Sequence, residues 1–506
     1  MKILFLAISL LFCYKLNAQV SFSKLSLPYG KYDVGFKHYI RYDSTRTYER
    51  LSDWNKKATA RPIPISLWFP SKKQIQNSQM TIEDYMVILK EEEEWEVLPD
   101  ERILEWFYYS KSDDNKSHLK EKVKAVKNTT PFPNKFPIVV YSPSYQASSV
   151  ENFALCEFLA SQGFVVISSP SRGTENRLLE GGITRDIETQ ARDIQFLISE
   201  IGNQSFADIN NLAVMGFSFG GISNVLAQMM DKRIKAIICL DGSIKYQYQK
   251  IQSSHYFNLF KVDVPFLFMS QKDIPTEVMK EDKIDSTLNT KFEFYDSVKY
   301  SEAYFFKFNN MTHSYFSSMG VLFQDRDVRQ DKSDTEIMDS YRWVNIYTLN
   351  FLNAFLNNQN KGKAFLENQP AVNGVIGEII LKKSKESLTK PFSFEDFNLL
   401  AIKQNYNDLG NLYKTIIKER PTFKFDEWKA NTLGLSLLFK KRIREGINVL
   451  MLNTKLFPES ANAYDSLGEG YLIAGDKKNA AENFKNSLKF DPQNQNAINR
   501  LKQIGN

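Results

Sequence analysis

Val214-Met215-Gly216-Phe217-Ser218-Phe219-Gly220-Gly221 stands where an apolar run ends and a helix-forming segment, Ile222 to Met230, begins. Its centre is the pattern G-x-S-x-G in a strand–turn–helix setting, which holds a serine on a sharp turn with Oγ clear at the top of a sheet. The glycines on either side remove Cβ atoms that would collide with the adjoining strand and helix. A nucleophilic serine, Ser218, and a sheet to carry it are therefore expected together.

On either side the chain has the grammar of a parallel sheet, in which apolar runs alternate with helical segments across turn residues. Pro137 to Ser142 reads as a strand, Phe153 to Gln162 as a helix ended by Gly163, and Phe164 to Ser169 as the next strand. Ile187 to Ile201 has helical spacing, and Asn211 to Met215 leads into the serine turn. Ile234 to Leu240, Pro265 to Met269 and Ala303 to Phe308 continue the strand series, and residues 335 to 357 form a closing helix. Ahead of all this, Tyr32 to Phe36 and Ile63 to Phe69 suit an antiparallel pair, with Pro64 pointing to an edge position. Residues 72 to 134 are polar, without an alternating strand signal, and read as an insertion and a candidate lid.

A serine hydroxyl needs a base, and on such a sheet the order along the chain is serine, acid, histidine. Of the histidines only His255 and His313 follow Ser218. His313 comes just after the strand Ala303 to Phe308, at the carboxyl edge where catalytic groups collect, whereas His255 sits in the polar stretch Gln252-Ser253-Ser254. His313 is the expected base. Asp241 and Asp273 each follow a strand, and topology leaves them equal as the acid that orients the imidazole.

Val139-Val140-Tyr141-Ser142, Leu159-Ala160-Ser161-Gln162-Gly163-Phe164, the Ser218 turn, Leu240-Asp241-Gly242 and Thr312-His313 together resemble the platelet-activating-factor acetylhydrolases and dienelactone-hydrolase-like esterases. The resemblance covers residues 137 to about 320 and implies an α/β-hydrolase fold, whose domain is expected over residues 19–385 with 72–134 inserted in it. It implies a serine esterase acting on a small-molecule or lipid-like ester through Ser218, His313 and an acid. The interval between nucleophile and acid in that family selects Asp241 over Asp273. The backbone N–H groups of Tyr145 and Phe219 would form the oxyanion hole. Two residues depart from the family pattern: Pro143-Ser144 replaces a His-Gly pair, and Phe217 precedes the nucleophile where histidine is common.

The termini add two expectations. Met1-Lys2 followed by the apolar run Ile3 to Phe12 reads as a signal peptide over 1–18, ending at Ala18, and predicts an exported protein, periplasmic or secreted. No later run has eighteen uninterrupted apolar residues, so stable membrane insertion is not expected. Past residue 390 the pattern becomes helical throughout, and the spacing Tyr464, Leu467, Gly468, Tyr471, Ala480, Phe484, Ser487, Pro492 matches a tetratricopeptide repeat. One repeat earlier stand Ala430, Leu433, Gly434, Leu437, Gly446, Leu450, Asn453 and Pro458. Tetratricopeptide-like repeats are thus expected at 427–460 and 461–494 within a helical domain over 392–506, offering a surface for a protein partner.

With 42% hydrophobic and 25% charged residues and a net charge of +6, the 506-residue chain has a globular composition and no basic stripe suited to nucleic acid. Beyond the leader, Cys156 and Cys239 sit in apolar runs and read as buried thiols. The four histidines, His38, His118, His255 and His313, are scattered. No metal or cofactor is expected. The rival to an enzyme is a partner-binding protein on a catalytically decayed hydrolase scaffold.

Overall fold

In the computed structural model, which describes residues 21, 25–55, 57–72, 79–281, 284–323 and 329–505, the apolar runs form one mixed sheet. The leader expected at 1–18 lies outside the described residues. The strands are β1 (Asp33–Tyr48), β2 (Thr59–Ser71), β3 (Gln79–Thr81), β4 (Lys122–Lys127), β5 (Phe136–Ser142), β6 (Val165–Ser168), β7 (Ala207–Phe217), β8 (Ile234–Leu240), β9 (Phe266–Ser270), β10 (Ala303–Phe308) and β11 (Ile380–Lys385). Across the sheet they run β11-β10-β9-β8-β7-β5-β6-β2-β1-β4-β3. From β6 through β5, β7, β8 and β9 to β10 every neighbour is parallel. This is an α/β-hydrolase-like arrangement, followed by a helical C-terminal region.

The parallel strands are apolar on both faces because both faces are covered. In β5, Ile138 and Val140 join the core under the helices Thr184–Ile201 and Phe219–Met230, while Val139 and Tyr141 join the core under Phe153–Ser161 and Asp334–Phe355. Each such side chain, wholly buried, contributes about 1.5–3 kcal/mol of hydrophobic stabilisation. Cys156 and Cys239 are free and buried in these layers.

Two expectations are corrected here. Pro64 lies on β2, which is interior, between β1 and β6. The proline is tolerated because β6 is short and pairs only with Ser66, Leu67 and Trp68, so the missing N–H at 64 removes no bond to β6. The segment 72–134 is also more than a polar insertion: it supplies β3 and β4, and β4 extends the sheet parallel to β1. Lys122-Val123-Lys124-Ala125 does alternate, with the lysines outward and Val123 and Ala125 inward. The helix Ile82–Glu92 between these strands buries Tyr85, whose ring stacks on Phe153 at 4.7 Å and whose hydroxyl accepts from Trp68 Nε1 at 2.8 Å.

Glu157, fully buried on the helix Phe153–Ser161, binds this addition to the main sheet. Its carboxylate accepts from the Tyr85 hydroxyl at 2.8 Å and from the N–H groups of Lys124 and Ala125 at 3.0 and 3.1 Å. Burial outweighs these bonds and pushes its pKa from 4.5 up to about 7.

The chain divides between Leu388 and Thr389 into two compact units. The second is a series of helices: Phe394–Lys403, Leu409–Glu419, Glu427–Phe439, Ile443–Leu456, Ala461–Ile473, Lys477–Phe490 and Gln495–Ile504. Its hairpins repeat one contact, since Gly434 lies against Leu450 and Gly468 against Phe484, and a Cβ at either glycine would clash.

A group whose folded pKa is raised contributes its stability fully below its unfolded value and loses it as pH rises through the folded value. Wild type should therefore lose a few degrees of melting temperature between pH 4.5 and 7.5 that Glu157→Gln does not lose, as differential scanning calorimetry would show. Equal pH slopes in the two proteins would contradict this account of Glu157. A chain ending near residue 390 should also give a cooperative melt of its own, and an uncooperative one would show that the first unit depends on the second.

Candidate active site

The serine turn is built by close packing. Ser218 follows β7 at φ 52° and ψ −116°, a conformation L-residues rarely adopt, and begins the helix Phe219–Met230. Its N–H donates to Leu240 O at 3.1 Å, and its carbonyl accepts from Gly221 N at 3.0 Å and Ser243 N at 2.7 Å. A Cβ at Gly220 would lie 2.0 Å from the carbonyl oxygen of Ser142, so the helix can approach the end of β5 only with glycine there.

Asp241 is the first residue after β8, fully buried, at φ 41°. Its Oδ1 accepts from Gln271 N at 3.1 Å and from the Tyr246 hydroxyl at 2.9 Å, while Oδ2 lies 2.6 Å from His313 Nδ1. Burial, reinforced by the charge of Asp241, holds Tyr246 well above the usual phenol range, so its hydroxyl remains a donor. His313 follows β10 and puts Nε2 2.9 Å from Ser218 Oγ. A proton on Nδ1 is donated to Oδ2 of Asp241, which leaves Nε2 facing the serine as an acceptor. The ring of Phe217 lies 4.9 Å from the imidazole and tilted by 37°, fixing one of its faces.

The structure thus brings together Ser218, His313 and Asp241. Asp273 is elsewhere in its contacts: it is exposed and paired with Lys307 Nζ at 2.9 Å. His255 is exposed and rests edge-on against Tyr256. Tyr145, half-exposed, sets its ring edge-on to Phe219 at 5.9 Å. Its N–H and that of Phe219 have no acceptor among the described residues. Tyr246 and Gln271, which saturate the second oxygen of Asp241, have no sequence signature; only the fold carries them to Asp241. No group of three or more His, Cys, Asp or Glu side chains among the described residues is arranged to hold a metal ion. No helix among them is long and apolar enough to cross a membrane.

A model of the prolyl oligopeptidase family matches residues 151–265. That span holds Ser218 and Asp241 but stops short of His313, and covers well under half of the chain. Among similar solved structures is a ferulic acid esterase from Streptomyces cinnamoneus, 16% identical, with a TM-score of 0.49, the match covering 71% of this chain and 98% of that one. None of the curated proteins matches.

The contact at Gly220 is with backbone, which cannot swing aside. Gly220→Ala should cost about 2–4 kcal/mol in urea unfolding. A cost below about 0.5 kcal/mol would show that the turn is looser than its geometry.

Proposed function

We propose that this chain is a serine hydrolase that cleaves carboxylic esters of small or medium acyl groups. The observation that carries the reading is the continuous relay from Ser218 Oγ through His313 to Asp241. Ser218 Oγ attacks the ester carbonyl carbon, and His313 Nε2 takes its proton and passes it to the departing alkoxide. Water, deprotonated by the same nitrogen, then cleaves the acyl-enzyme. Asp241 keeps the proton on Nδ1 and stabilises the imidazolium. The N–H groups of Tyr145 and Phe219 receive the oxyanion.

Kinship with the platelet-activating-factor acetylhydrolase and dienelactone-hydrolase-like group is part of this reading, supported by the motif residues and the Ser218–Asp241 interval. Export rests on the sequence of residues 1–18. The C-terminal helices are read as tetratricopeptide-like repeats that bind a protein partner, a reading supported by the recurring glycine contacts at 434 and 468. The match to the prolyl oligopeptidase family favours one further reading, peptide hydrolysis by the same relay. A panel of nitrophenyl esters of rising chain length beside proline-containing peptide anilides separates the two, and turnover of anilides alone would replace the ester reading.

Ser218→Ala should lower ester turnover at least about 10⁴-fold while leaving the melting temperature near wild type. Asp241→Asn should cost about 10³–10⁴-fold in kcat, because it misdirects the imidazole tautomer. Asp273→Asn, which breaks a surface pair, should stay within about threefold. The reverse ranking of the two aspartates would remove Asp241 from the mechanism.

A further inference from the structure

The residues Pro143 to Ala147 open the connection from β5 to the helix Phe153–Ser161 and carry the N–H of Tyr145. In the related esterases a His-Gly pair opens this loop, and here Pro143-Ser144 stands in its place. The backbone shows how serine is accommodated, since the left-handed residue of the loop is Gln146, at φ 56°, and Ser144 is not left-handed. The loop must then be held by something other than a glycine turn.

What holds it is a buried carboxylate. Glu151, only 8% exposed, accepts through Oε2 from Ser144 N at 2.9 Å and from the Tyr141 hydroxyl at 3.1 Å, and through Oε1 from the Ser144 hydroxyl at 2.5 Å. Its own backbone is tied down, because its carbonyl accepts from Met319 N at 3.1 Å, in the segment that follows His313. Two more anchors flank this one. Gln190 Nε2 donates to Pro143 O at 3.0 Å, and the Tyr145 hydroxyl donates to Leu179 O at 3.3 Å and accepts from Gly181 N at 3.1 Å. By these bonds residue 143 is fixed once and residues 144 and 145 twice each, and the N–H of Tyr145 is left unbonded among the described residues.

A carboxylate taken out of water costs several kcal/mol unless its oxygens are bonded. Here three donors meet one group, two of them from Ser144 itself. Burial drives the Glu151 pKa upward, and the bonds from Ser144 and Tyr141 oppose it. Such a group is an unusual filler for a core. As an orienting device it has a clear effect, because a carboxylate gripping both the N–H and the hydroxyl of Ser144 fixes the Pro143–Ser144 peptide plane and the Ser144 side chain, and the next plane, which carries the Tyr145 N–H, is held from there by the Ser144 carbonyl accepting from Ala147 N at 3.2 Å.

We propose that Glu151 is a positioning residue that aims the Tyr145 N–H at the developing oxyanion, in a loop where Ser144 takes the place of a glycine. The proposal rests on the ester-hydrolysis reading above. A misaimed donor costs the transition state and spares the ground state, so kcat should fall while KM does not.

The test is steady-state hydrolysis of a nitrophenyl ester by wild type, Glu151→Gln and Ser144→Ala, together with inhibition by an alkyl trifluoromethyl ketone, whose adduct with Ser218 places an oxyanion in the same hole. Glu151→Gln should lower kcat about 10–100-fold with KM within threefold, and weaken the ketone by a similar factor. Ser144→Ala, which removes one bond of three, should lower kcat about threefold. Should Glu151→Gln fail to fold, Tyr141→Phe combined with Ser144→Ala keeps the glutamate and strips two of its donors, and should lower kcat about tenfold. A folded Glu151→Gln, or that double variant, with kcat and ketone affinity within twofold of wild type overturns the proposal. Wild-type protein that hydrolyses no ester in the panel would instead defeat the ester reading, and this proposal with it.

Discussion

Ser218 is held at φ 52° and ψ −116°, which costs a non-glycine residue on the order of 1–3 kcal/mol, and the surrounding sheet must maintain it. β8 accepts the serine N–H, Ser243 donates to its carbonyl, and the end of β5 presses on Gly220. Two of these contacts come from strands buried on both faces, and the third from the turn that directly follows β8. The restraint is therefore paid for by burial across the sheet and not by any bond at the serine. The same crowding that strains the backbone points Oγ toward His313 and leaves the N–H of Phe219 at a free helix start, where the helix dipole also favours negative charge.

Around this turn buried carboxylates fix the parts that must not move. Asp241 fills its second oxygen with Tyr246 and Gln271, so that only Oδ2 is left for His313. Glu151 and Glu157 lie six residues apart, one just ahead of the helix Phe153–Ser161 and holding the loop before it, the other within the helix and holding β4. Removing one partner of such a group leaves an uncompensated buried charge, which is why each is surrounded by donors from separate chain segments.

The parallel strands were legible because strands buried on both faces are continuous apolar runs: Ile234–Leu240 and Ala303–Phe308 have the same ends in sequence and structure. The outer strands were not. β4 and β11 carry lysines on their exposed faces, and their alternation is masked by a polar composition that also suits loops. At the site, the Ser218 motif is local and His313 follows from its place after β10. The choice between Asp241 and Asp273 could not come from strand positions, since both follow strands; what separates them in the structure is that one is buried against the imidazole and the other pairs with Lys307. Tyr246, Gln271 and Glu151 depend on loops brought together from across the chain, and no spacing encodes that.

The hydrolase reading stands or falls with the activation of Ser218 by His313. Reaction with a fluorophosphonate probe, followed by digestion and mass spectrometry, measures this directly without knowledge of the substrate. Stoichiometric labelling of the peptide containing Ser218, slowed by orders of magnitude in His313→Ala, is the result the geometry predicts. A folded protein that stays unlabelled, or one labelled equally fast without His313, would contradict it.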